Sequence, residues 1–162
     1  MSLETIDVVL PPSTEPTFKS LTKAIAFGEA ITRKRVSNEV SSCYGAIIRS
    51  ATWSDTAVDL HLDNGRLIGF RCAQNDVDIV LDDPLTDVSP GLPENLQLRL
   101  ADRTWPWERN SLIAAMTGRT FRLVYATQST YFLYISGLDI LWVSVLIDSR
   151  TGRPFLYWRP TD

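Results

Sequence analysis

Histidine occurs once in this chain, at His61, and cysteine only twice, at Cys43 and Cys72. One imidazole removes most triads and every metal centre built on several histidines, because any histidine-dependent mechanism must use His61. The two cysteines are far apart and lie in no metal-ligand spacing, so free thiols are expected over a disulfide. No phosphate-binding loop is expected: the glycines stand singly at turns or strand kinks, and Gly118 closes a helical pattern where an anion site would open one. Nor is there an uninterrupted apolar run of the ~20 residues that a membrane helix needs. The longest apolar strip, Leu138 to Ile147, is interrupted by Asp139 and Ser144. A basic segment followed by an apolar one is missing at the start, so no secretory signal is expected, and a cytoplasmic location is.

What is present is the balance of an ordinary globular domain, with 44% hydrophobic and 22% charged residues in 162. A formal net charge of −3 gives the whole molecule no pull on phosphate backbones, so nucleic acid is not an expected partner. The acidity is local. Asp76, Asp78, Asp82, Asp83 and Asp87 follow one another without a lysine or arginine between them. Such a block attracts a basic surface; the plainer alternative is a solvated edge strand charged against aggregation.

Residues 1–17 read as an extended lead-in, with Ile6, Val8 and Leu10 alternating before a proline-rich turn. Residues 18–35 change to helical period: Phe18, Leu21, Ala24, Ile25, Phe27 and Ile31 share one half of the circumference. Thr14 or Thr17 caps the start, and Arg33, Lys34 and Arg35 suit the negative end of the helix dipole. From Ala46 the period is two, and strands are predicted over 46–53, 56–62 and 66–73. Register is arguable here. A three-residue Asp63-Asn64-Gly65 loop with Gly65 left-handed pairs Val58 with Phe70 and Leu60 with Ile68, making one apolar face. A two-residue loop would scatter those residues.

A further strand is expected over 77–81, then a proline-rich connection over 83–93, and another strand around Leu96, Leu98 and Leu100. The stretch Arg103-Thr-Trp-Pro-Trp-Glu-Arg-Asn110 follows. Pro106 suits the first turn of a helix, which Gly118 would end. One of Trp105 and Trp107 is expected to pack inward and the other, beside Arg109, to serve as a contact residue. The last third reads as a meander of strands over 120–127, 131–136, 139–147 and 154–158. The strand over 140–147 is apolar on both faces, so it should be central and covered by a helix.

The fold class expected is α+β: one domain with a curved, largely antiparallel sheet of about seven to nine strands, an N-terminal amphipathic helix and one short helix before the C-terminal meander. The leading functional expectation is a non-enzymatic protein that binds a basic protein partner, such as an immunity protein guarding against a nuclease toxin. Asp76, Asp78, Asp82, Asp83, Trp105, Trp107 and Arg109 would carry the contact, with no metal, cofactor or membrane. A second reading is a small hydrolase using Asp59, His61 and Asp63, which share one face of a strand. A third is a secretion chaperone or assembly subunit that dimerises through the N-terminal helix.

Overall fold

A computed structural model describes residues 3–11, 38–73, 76–86, 91–126, 130–138 and 140–160. The expected helix over 18–35 lies outside them. Eleven strands occur among the described residues, against the seven to nine expected, and they form two sheets. Among the described residues helix is sparse: a single turn, α1 (Asn38–Ser41), and α2 (Arg109–Met116).

The smaller sheet is a four-stranded antiparallel meander of β2 (Ile48–Ser54), β3 (Ala57–Leu62), β4 (Leu67–Ala73) and β5 (Asp76–Leu81). Its register follows the apolar pattern. Val58 lies opposite Phe70, and Leu60 opposite Ile68. Gly65 takes φ +83° in the three-residue loop, a left-handed conformation with little penalty for a residue lacking Cβ. Continuing the face, Phe70 meets Ile79 and Ile68 meets Leu81 across β4 and β5.

The seven-stranded sheet contains β1 (Thr5–Val9), β6 (Asn95–Leu100), β7 (Arg103–Glu108), β8 (Phe121–Ala126), β9 (Thr130–Ile135), β10 (Leu141–Asp148) and β11 (Pro154–Pro160). Strand β10 is its centre. Along one edge it pairs with β11; along the other it pairs first with β9 and then, at its end, with β1. The order β7-β6-β1-β10 follows from there, and β1 with β6 is the one parallel pair among the described strands. The N-terminal segment is therefore no lead-in. Ile6 and Val8 are buried in the core, and β1 joins the two halves of the sheet.

Among the described residues the two apolar faces of β10 have different covers. One face, with Val143 opposite Tyr131 and Trp158, turns to the smaller sheet, where Tyr131 packs edge-on against Phe70 at 5.9 Å. On the other, Tyr157 and Phe155 of β11 meet Trp105 and Trp107 of β7. The sheet curls until β7 comes back to β11.

Pro106 does not open a helix. It sits in β7, an edge strand, opposite Gln97 of β6. An edge strand tolerates proline because the missing N–H can lie on the unpaired side. The helix starts at Arg109 and ends as the sequence predicts, with Gly118 at φ +87° just beyond Thr117.

Strand β1 is fastened by charge as well as packing. Asp7 pairs with its cross-strand neighbour Arg99, and Arg150 bonds both Asp148 (3.1 Å) and Glu4 (3.2 Å). Arg99's hydrogen bonds hold the Asp7 carboxyl below its ordinary pKa. Burial alone would raise Asp148, but the hydrogen bonds and charge of Arg150 outweigh it, and the net shift is downward. A carboxyl with a lower pKa folded than unfolded contributes stability above the unfolded value, about 3.9, and loses it as pH falls through the folded one. The urea midpoint should therefore fall on acidification below about pH 5, and Asp148→Asn should flatten that slope. An unchanged slope in the variant would contradict the assignment.

The outer face of the smaller sheet is covered in part. Residues 82–86 double back over it as a strap, anchored at its start by Asp82 Oδ1, which accepts the Leu67 N–H at 3.1 Å. Over β3, the fully buried Asp59 accepts a hydrogen bond from Leu85 N at 2.8 Å through Oδ2 and pairs with Arg71 at 2.5 Å through Oδ1. Arg71 in turn donates to the Asp83 carbonyl at 2.8 Å. Gly69, opposite Asp59, makes the room. A Cβ there would lie 2.5 Å from Asp59 Oδ1, 2.5 Å from Arg71 Nη1 and 2.9 Å from Val80 Cγ2. Gly69→Ala should thus destabilise by about 1–3 kcal/mol, the usual range for overpacking, read as a lower urea midpoint. A midpoint equal to wild type would show that the pair is not confined there.

Candidate functional site

At residues 91–93, ahead of β6, the chain meets a buried side chain with three directed hydrogen bonds. Arg109, first residue of α2, is fully buried. Its Nη1 donates to Asp55 Oδ1 at 3.1 Å, and its Nη2 to the carbonyls of Leu92 (2.8 Å) and Pro93 (2.6 Å). The guanidinium carbon lies 4.2 Å from the centre of the Trp53 ring and 5.0 Å from that of Trp107. Desolvation lowers the Arg109 pKa, while the hydrogen bond and charge of Asp55, and the charge of Glu94, oppose that shift. Arginine stays charged under such pressure and can stack on aromatic faces, which lysine does less well. The Nε–H has no acceptor among the described residues, so ring faces rather than a full set of hydrogen bonds complete the enclosure.

Asp55 is the other half of this node. It occupies the β2–β3 turn, and its carboxylate also accepts the N–H groups of Gly91 (2.7 Å) and Leu92 (3.0 Å). Its own carbonyl accepts the Leu156 N–H at 2.8 Å, on the edge of β11 turned away from β10. On the same edge the Trp107 indole donates to the Trp158 carbonyl at 2.9 Å. The outer edge of β11 is thereby occupied by a turn of the other sheet and a tryptophan of β7, which blocks strand addition there.

These positions correct the expected contact site. Residues two apart in a strand share a face, so Trp105 and Trp107 both turn inward instead of dividing between core and surface. Trp107 is buried, and Trp105 is half-buried with its indole N–H on the Tyr157 hydroxyl at 2.8 Å. Buried Trp107 and Arg109 present no side-chain surface to a partner in this structure. Sequence reasoning gave Trp53 and Asp55 no role. The Ser54-Asp55 turn carried a weak signal, but nothing local shows that it faces Arg109.

The acidic block divides. Asp78 is exposed on β5, Asp82 and Asp83 are exposed at its end, and Asp76 belongs to the same strand; Asp87 lies outside the described residues. Asp82, at φ +55°, pairs with Arg66 at 3.0 Å. The Leu67 N–H and Arg66 lower its pKa against a smaller opposing effect of burial. Asp78 and Asp83 are in no ion pair with the described residues.

The residues of the hydrolase reading do not converge. Asp59 is held by Arg71 and Leu85, Asp63 Oδ1 accepts the Ile47 N–H at 3.0 Å, and His61 Nε2 lies 3.3 Å from the Thr52 hydroxyl. No group of three or more His, Cys, Asp or Glu able to hold a metal occurs among the described residues. His61 does border an open groove of about 350 Å³, shared with Arg66, Asp82 and Pro84. Cys43 and Cys72 form no disulfide, and burial raises both thiols, Cys72 to about 11. They are therefore protonated at neutral pH and poor nucleophiles. No described helix is long and apolar enough to cross a membrane.

Removing one partner of a buried ion pair strands the other, which typically costs about 3–5 kcal/mol. Because Asp55 retains two backbone donors, Arg109→Met should fall near the lower end, about 3 kcal/mol in urea unfolding, and should open the chain around 91–93 to proteolysis. Arg109→Lys, keeping charge without the fork, should restore only part of the loss. A methionine variant within about 0.5 kcal/mol of wild type would remove the node's structural role. No family model, no curated protein and no solved structure matches the chain.

Proposed function

We propose that this protein works by binding another protein, through an acidic edge that meets a basic surface. The observation that carries the reading is how the arginines nearest to the acidic strip are used. Arg66 is engaged by Asp82, and Arg71 by Asp59 beneath the strap. Asp78 and Asp83 are left exposed, without ion-pair partners among the described residues. Unpaired carboxylates grouped at an edge accelerate encounter with a cationic surface and disfavour anionic ones. An inhibitor that neutralises a basic enzyme, such as an immunity protein against a nuclease toxin, suits that chemistry. The contact then rests on Asp78, Asp82 and Asp83, with Asp76 in the same strand.

The test uses a panel of basic nucleases and their measured inhibition. Wild-type protein should bind and inhibit a member of the panel with an association rate that falls as salt rises. Asp78→Lys with Asp83→Lys should slow association at least tenfold at low salt and leave the fold intact. Equal association by the double variant would overturn the acidic-edge reading. A hydrolytic activity abolished by His61→Ala would favour the hydrolase reading instead.

A further inference from the structure

The opposite side of the molecule has a different chemistry. Side chains of β9, β10 and β11 alternate between the face packed on the smaller sheet and the face turned away from it. On the latter, Tyr134 is 45% exposed and Trp142 is 42% exposed, although both belong to central strands. Phe132, directly across from Trp142, is covered by it in a stacked arrangement, with centroids 6.0 Å apart and planes 22° apart. Tyr134 is the diagonal neighbour of Trp142, about 7–8 Å away by strand geometry. The remaining cross-strand neighbours are cationic: Arg122 lies opposite Tyr134, and Arg159 opposite Trp142. Arg122 is exposed, Arg159 half-buried.

We propose that this face binds single-stranded nucleic acid, with bases stacked on Tyr134 and Trp142 and phosphates drawn to Arg122 and Arg159. Flat aromatic rings on an open sheet face accept any base through its π-surface, and arginine recognises the backbone. The net charge of −3 does not forbid this, because the charge is segregated. Asp78 and Asp83 lie on the outer side of the other sheet. Two packed sheets are about 10 Å apart, so the outward side chains are separated by more than the ~8 Å screening length at physiological salt. The proposal rests on a face separate from the acidic edge, and either can fail without the other.

The full-length protein would be titrated into fluorescein-labelled oligothymidylate and oligouridylate of roughly 16 nucleotides, reading anisotropy and intrinsic tryptophan fluorescence. Binding should quench the tryptophan signal, and Trp142→Ala and Tyr134→Ala should each weaken it about tenfold or more. Arg122→Glu should reduce the slope of log affinity against log salt by about 0.7 or more. Circular dichroism and urea midpoints check folding. Should Trp142→Ala unfold by uncovering Phe132, the exposed-site variants Tyr134→Ala and Arg122→Glu still decide. The proposal is overturned if neither oligonucleotide binds at low salt, if the variants bind as wild type does, or if oligoglutamate competes equally well.

Discussion

A buried guanidinium holds the two sheets in register. Arg109 reaches from the start of α2 to Asp55, in a turn of the smaller sheet, and to the carbonyls of Leu92 and Pro93, just ahead of β6. Desolvating such a charge costs several kcal/mol per ion. The structure offsets this with three directed acceptors and two indole faces, and it places the counter-charge on a residue whose backbone also closes the edge of β11. Four segments distant in sequence thus depend on one side chain. This gives the polar node a role in specifying arrangement, beyond any net stabilisation from the ion pair itself.

Around that node the architecture follows from the two apolar faces of β10. A strand apolar on both sides needs two covers, and the chain supplies them from different sources. The four-stranded meander covers one side; the curl of β1, β6 and β7 brings Trp105 and Trp107 over part of the other. The curl does not extend over the first half of β10. There Trp142 and Tyr134 remain exposed, and that incomplete cover produces the aromatic face. The acidic edge has a parallel origin. Arg71 is drawn beneath the strap by Asp59, so that Asp78 keeps its charge unmatched.

Local pattern was enough for local structure. Alternation in 58–62 and 66–70, together with Gly65, specified which residues of the hairpin face each other, and Gly118 marked the end of α2. Beyond one hairpin the pattern lost its hold. Pro106 is as compatible with an edge strand as with a first helical turn, and only the position of β7 at the sheet's border decides between them. Taking that stretch as a helix entrance then separated two indoles that a strand puts on one side. Asp59 likewise was expected only to share a strand face with His61 and Asp63. Its burial arises from a connection that returns across the sheet from more than twenty residues away, which no window of sequence contains. The acidic block was legible by composition, but not which of its members an arginine would claim.

The acidic edge and the buried node both depend on residues 85 and 91–92 being held against the sheet by carboxylates, since Asp59 and Asp55 draw Arg71 and Arg109 inward. Backbone hydrogen exchange tests this most directly, because Leu85, Gly91 and Leu92 belong to no strand or helix and, among the described residues, their N–H groups donate to those carboxylates alone. Their amides should be protected to a degree comparable with the strand amides of β3 and β4. Exchange at the rate of an open loop, with the strands still protected, would contradict the account.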